Sequence, residues 1–164
     1  MRLSFLLGLR SMDETYWEPV DEPVAFEANL EWRLEDSFLS FEIGSAISYD
    51  ESNLFGIDVD ATTFEIFGGA RATADLVDGH LRPYVGAGPS LIFANYGGES
   101  SGIRVSDDDV SFGLYVRGGV TWVFDGGFGL GLDYRKLVGT DVSLFGVDGD
   151  ADFDQFGLTF GFAF

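Results

Sequence analysis

FGLGLDYRKL, residues 128–137, puts Phe128, Leu130, Leu132 and Tyr134 on one parity and Gly129, Gly131, Asp133 and Arg135 on the other. Strict alternation of this kind marks a β-strand with two unlike faces. One face is large and apolar. The other carries glycine and opposite charges, and which of the two is buried decides the fold.

The same period runs through seven further segments, giving expected strands at 2–10, 24–34, 38–49, 62–74, 81–93, 112–124, 128–137 and 154–164. In the second, Val24, Phe26, Ala28, Leu30, Trp32 and Leu34 alternate with Ala25, Glu27, Asn29, Glu31 and Arg33. The fourth is least regular, because Phe67 falls on the polar parity beside Glu65, Gly69, Arg71 and Thr73. Short turns are expected at 35–37, 75–80 and 125–127, and long loops at 11–23, 50–61, 94–111 and 138–153. Asp78-Gly79 and Asp125-Gly126 between apolar runs are hairpin signals. All neighbouring strands are therefore antiparallel, with short turns at one end and long loops at the other.

Glycine decides the orientation. Gly8, Gly44, Gly69, Gly86, Gly88, Gly113, Gly119, Gly129, Gly131, Gly157 and Gly161 all share the polar parity. On a solvated face glycine weakens a strand and packs nothing. Inside a narrow eight-stranded barrel it is what fits. The charges on that parity also nearly balance, with Glu27, Glu31, Glu42, Glu65 and Asp133 against Arg2, Arg10, Arg33, Arg71, Arg82, Arg117 and Arg135. A low-dielectric lumen needs such matching, because an unpaired buried charge is costly. The predicted fold is all-β: an eight-stranded antiparallel up-and-down transmembrane β-barrel forming a single domain over residues 1–164. Glu42, Glu65, Arg71, Arg117, Asp133 and Arg135 lie nearest mid-barrel and are the expected centre of its charge network.

Composition narrows the classes further. With 28 acids against 9 bases the net charge is −19, which argues against nucleic-acid binding. There is no cysteine, so disulfides and thiolate metal sites are excluded. No run of eighteen apolar residues could form a membrane-spanning helix. MRLSFLLGLRSMDE lacks a small-residue cleavage site and reaches Arg10 too early for a secretory signal, so Met1 is expected to replace a removed one. On the apolar parity Trp32, Trp122, Phe124, Phe162 and Phe164 gather at the short-turn end, and Tyr49, Phe93, Phe112 and Tyr134 at the other, as interfacial girdles do.

With RPYVGAGPSL at 82–91, LGLDYRK at 130–136 and FGLTFGFAF at 156–164, the chain resembles the small eight-stranded outer-membrane barrels of the OmpA and OmpX type along essentially its whole length. That resemblance implies an outer membrane of the Gram-negative type, both termini periplasmic, and a monomer among membrane lipid and lipopolysaccharide. It also implies that the last strand, through Phe156, Phe160, Phe162 and Phe164, is the signal read by the barrel-assembly machinery. No peptidoglycan-binding domain is expected after Phe164.

The four long loops carry five, four, four and four acids, seventeen in all, against one base, Arg104. Asp107, Asp108 and Asp109, and Asp148, Asp150 and Asp152, are dense enough to bind Ca²⁺ or Mg²⁺ weakly through carboxylate oxygens, or to be a solvated acidic rim. GFGLG at 127–131 is lumen glycine, since no helix follows it as a nucleotide loop requires. His80 is the only histidine. Lipid-modifying barrels of the resembled kind hold theirs near the outer leaflet, whereas His80 falls in a turn at the opposite end. The expected function is a non-enzymatic barrel with a plugged lumen and acidic surface loops, structural or surface-interacting. A narrow pore or small-molecule transporter is the alternative, and a lipid-modifying enzyme the third.

Overall fold

The computed structural model describes residues 1–35, 37–54, 57–100 and 103–164. Residues 36, 55–56 and 101–102, within the expected turn at 35–37 and the expected loops at 50–61 and 94–111, lie outside the described residues. Eight strands close a barrel: β1 Arg2–Met12, β2 Val24–Arg33, β3 Leu39–Leu54, β4 Ile57–Thr73, β5 Leu81–Ser100, β6 Ile103–Val123, β7 Phe128–Val138 and, after a small hairpin of β8 Val142–Leu144 and β9 Val147–Gly149, β10 Phe153–Ala163. Every barrel strand pairs antiparallel with both neighbours, and β1 closes on β10 through pairs such as Leu7↔Leu158. One helical turn, α1 Glu14–Trp17, follows β1.

The apolar parity faces outward, as its alternation requires. Val85, Phe112 and Leu158 are each at least 60 % exposed, while Glu65 and Arg135 on the other parity are fully buried. This is the inverse of a soluble barrel. The outer surface is a hydrocarbon-compatible band, and the backbone groups within it are satisfied by closure of the sheet.

The pairing registers fix the strand tilt. Followed once round the barrel, Met12 leads through Phe153, Leu137, Tyr115, Gly88, Gly69, Glu42 and Glu31 back to Arg2, a stagger of ten residues on β1. A stagger of that size in eight strands corresponds to a tilt of about 40°. Residues at one height in the lumen therefore sit at different positions along their strands.

Strand length divides the barrel into two halves. β1, β2, β7 and β10 have 11, 10, 11 and 11 residues, close to the roughly 9–11 that a tilted strand needs to span a bilayer. β3, β4, β5 and β6 have 16, 17, 20 and 21. The excess lies where loops were expected at 50–61 and 94–111. Pairing continues instead to Leu54↔Ile57 and Ser100↔Ile103, so most of these residues are strand. Their Asp, Ser and Gly content reads as loop in isolation, but adjacent paired strands carry the ladder onward. At 13–23 and 139–152 the chain is irregular, apart from α1 and the β8–β9 hairpin.

Candidate functional site: the lumen and its two mouths

The barrel interior is filled by one continuous chain of alternating charge. Glu65 receives Arg10 Nη2 at 2.8 Å, Arg135 Nη2 at 2.5 Å and the hydroxyl of Ser90. Arg135 continues to Glu27 at 3.5 Å, and Glu27 to Arg117 at 2.8 Å. Arg117 then holds Asp133 at 2.9 Å and stands 3.7 Å from Glu42. Glu42 takes Arg71 at 2.5 Å, and Arg71 reaches Glu31 at 3.3 Å. Neutral donors add to the ion pairs: Asn29 and the Tyr115 hydroxyl donate to Glu42, and the Tyr84 hydroxyl to Asp133. Arg10 also donates to Gln155 at 2.6 Å and Thr63 at 2.9 Å.

All six residues expected at the network's centre, Glu42, Glu65, Arg71, Arg117, Asp133 and Arg135, are brought together there. Arg10 and Glu27, placed on the lumen side but not at its centre, prove equally central and are each 1 % exposed. The signal that could have found them is the stagger, which raises the end of one strand to the middle of its neighbour.

Phe67, the irregularity of the fourth strand, is the lumen's aromatic filler. The Arg135 guanidinium lies 3.9 Å over its ring, and Tyr115 meets it edge-on with centroids 5.3 Å apart. Its cross-strand partner is Gly44, where a Cβ would collide with the Phe67 ring. Gly119 similarly leaves room for the Tyr84 hydroxyl. The glycine parity is thus the complement of the lumen's aromatic rings.

Above the charges, towards the long-loop end, lies an apolar layer of Met12, Trp17, Val20, Ile92, Leu137, Val142, Ala151 and Phe153. The β8–β9 hairpin and α1 close this mouth. The main-chain N–H groups of Asp141, Ser143 and Phe145 donate to Ser111 Oγ, Asp109 Oδ2 and Asp107 Oδ2 at 2.7, 2.7 and 2.6 Å. The segment thus hangs on three successive inward side chains of β6 rather than on its backbone. Trp17 Nε1 donates to the Asp150 carbonyl at 2.7 Å, and its ring meets Tyr96, which in turn meets Phe145.

The six aspartates expected to hold a divalent cation are not gathered into one place. Asp107 and Asp109 are engaged by the hairpin's N–H groups, and Asp108 lies on the opposite face of β6. Asp152 accepts from Gly139 N, Thr140 N and Thr140 Oγ1. Asp148 is exposed on β9. Among the described residues, no group of three or more His, Asp or Glu is arranged to hold a metal ion. The N–H of Ser143, and then that of Val110, hold the Asp109 carboxyl below the ordinary carboxylate range. Partial burial pushes that of Asp150 up.

At the short-turn end, His80 Nδ1 lies 2.8 Å from the Val123 carbonyl, and its ring stacks on Trp122 at 5.9 Å. This is a packing role in a turn. Along β10, Phe160 packs on Phe5 and Phe162 on Phe128, whereas Phe156 and Phe164 are well exposed on the outer surface.

A family model described as the outer membrane protein beta-barrel domain matches residues 14–164. Among solved structures, the chain is similar to Neisserial surface protein A, with 16 % identity, a TM-score of 0.68, and 99 % of this chain and 95 % of that one covered. It is also similar to Ail, the attachment invasion locus protein of Yersinia pestis, with 14 % identity, a TM-score of 0.62, and 99 % and 95 % covered. A second Ail structure, in complex with the heparin analogue sucrose octasulfate, matches at 14 % identity and a TM-score of 0.63, with 99 % and 96 % covered. At this level of identity the likeness is one of fold. No curated protein sequence matches the chain.

Proposed function

Because the chain belongs to the outer membrane protein beta-barrel domain family, we propose that it is a closed, non-enzymatic barrel whose work is done at the cell surface by the strands that rise above the membrane. The observation that carries this reading is the filled lumen. Four arginines and five carboxylates pair with one another from Arg10 to Glu31, the apolar layer covers the long-loop mouth, and the void left beside Arg117 and Thr121 is only about 10 Å³. That is about the space of a single water.

In this reading both termini are periplasmic and the extended β3–β6 sheet projects outside the cell. The barrel sits as a monomer in outer-membrane lipid and lipopolysaccharide, and the assembly machinery reads Phe156, Phe160, Phe162 and Phe164. The outward face of the projecting sheet presents Glu51, Asp58, Asp60, Glu99 and Asp108 around Arg104, which is itself paired to Asp60 at 2.9 Å. Such a face repels polyanions and favours cationic partners. Planar-bilayer recording tests the closed lumen. Purified protein should give no sustained conductance at neutral pH, and reproducible steps of defined size would make the narrow-pore reading the better one.

A further inference from the structure

Among the described residues, the seven lumen arginines reach only six carboxylates, and the imbalance is concentrated at the short-turn mouth. Arg10, Arg71, Arg117 and Arg135 share Glu27, Glu31, Glu42, Glu65 and Asp133, while Arg33 and Arg82 share Asp75 at 2.7 and 2.9 Å. Arg2 has none. Among the described residues it makes no hydrogen bond, and no carboxylate lies within 4 Å of it. Glu31 attracts it, and Arg71 and Arg82 repel it. It is held there by packing: a Cβ on Gly129 would stand 2.5 Å from Arg2 Nη2.

These residues surround a cavity of about 180 Å³, lined by Arg2, Arg33, Arg71, Arg82, Glu31 and Tyr84 among others. One water needs about 10–15 Å³. Arg71, whose side chain is 7 % exposed, has no hydrogen-bond partner for its Nε among the described residues. The Met1 ammonium at the rim is engaged by the Phe164 carbonyl at 2.8 Å. In a chain with nine bases and a net charge of −19, an unpaired cation facing two others across a cavity is the reverse of what composition alone would place there.

We propose that the short-turn mouth of the lumen binds one small oxyanion, a phosphate or carboxylate group, on Arg2, Arg71 and Arg82. Guanidinium forks match the planar or tetrahedral oxygens of such groups through paired N–H donors. One bound anion restores the seventh pairing and shields Arg2 from its like-charged neighbours. The site opens on the face opposite the acidic surface strands, so its ligand is the anionic group of a molecule on the short-turn side.

The experiment uses the full chain refolded in octyl glucoside, which has no phosphate. Inorganic phosphate is titrated against chloride at matched ionic strength, with the arginine Nε–Hε resonances as the readout. A saturable shift at Arg2, Arg71 and Arg82 is expected with phosphate and not with chloride. Apparent affinity should fall at least tenfold in Arg2→Gln or Arg82→Gln, each confirmed folded by gel mobility, and stay unchanged in Arg104→Gln at the far end. Acetate in place of phosphate should compete. A parallel titration in nanodiscs of phosphatidylglycerol separates sources: arginines already shifted and insensitive to added phosphate identify a lipid headgroup as the occupant, whereas a preserved titration identifies a free anion. A linear response equal for phosphate and chloride, or a titration unaltered in both lumen variants, overturns the proposal.

Discussion

Replacing Arg117 with methionine removes the one side chain that holds three carboxylates apart from one another in the middle of the lumen. Their fates differ. Glu42 keeps Arg71, Asn29 and Tyr115, and Glu27 keeps Arg135 at 3.5 Å, but Asp133 is left with the Tyr84 hydroxyl as its sole partner. Breaking a buried pair so that one charge stays uncompensated costs about 3–5 kcal/mol. At about 1.4 kcal/mol per factor of ten, that is two to almost four orders of magnitude in the folding equilibrium. Urea titration in lipid vesicles, followed by tryptophan fluorescence and by the mobility of unheated protein on gels, measures it. Adding Asp133→Asn to Arg117→Met removes the orphaned charge and should recover at least half of the loss. A single variant within about 0.5 kcal/mol of the parent, as for an exposed pair, would refute a desolvated lumen network. So would a double variant no more stable than the single one.

Truncating Phe67 to alanine removes the ring beneath Arg135 and empties mid-barrel space, so a loss of about 3–5 kcal/mol is expected, together with the first measurable bilayer conductance; an unchanged urea midpoint would show that the ring is not a structural filler. Asp109 has a folded-state pKa below its unfolded one, so its support of the β8–β9 hairpin is present above the ordinary carboxylate value near about 4 and is lost as pH falls through the lowered one. Amide exchange at Ser143 should therefore accelerate only in strong acid, whereas Asp109→Asn should accelerate it at neutral pH; equal exchange in both proteins at both pH values would count against that hydrogen bond. Deleting Phe164 should lower outer-membrane yield in cells far more than it lowers the urea stability of refolded barrel, and normal yield would argue against its role as an assembly signal.

Strand positions, lumen parity and the six central charges were legible because a barrel with unlike faces writes a period of two directly into its residues. Phe67 broke that period for a reason visible only with Gly44 opposite it. The upper reaches of β3–β6 were not legible: IRVSDDDVS at 103–111 has no clean alternation, and its strand state comes from the paired chain beside it. Nor was the centrality of Arg10 and Glu27, which depends on a ten-residue stagger that emerges only when all eight registers are closed. The β8–β9 hairpin depends on Asp107, Asp109 and Ser111 meeting N–H groups some thirty to forty residues away, a match that no local pattern encodes.

The arginines and glutamates that fill the lumen also govern the chain before it has a lumen. Spread over seven of the eight barrel strands, they make those segments too polar for an inner bilayer to retain as helices. Leucines in their place could fill the same interior and satisfy the finished barrel. They would make the strands that now carry these charges far more continuously apolar, of the kind that aggregates in water or lodges in the first membrane it meets. The charged interior therefore fits a protein that must cross one membrane in order to live in another.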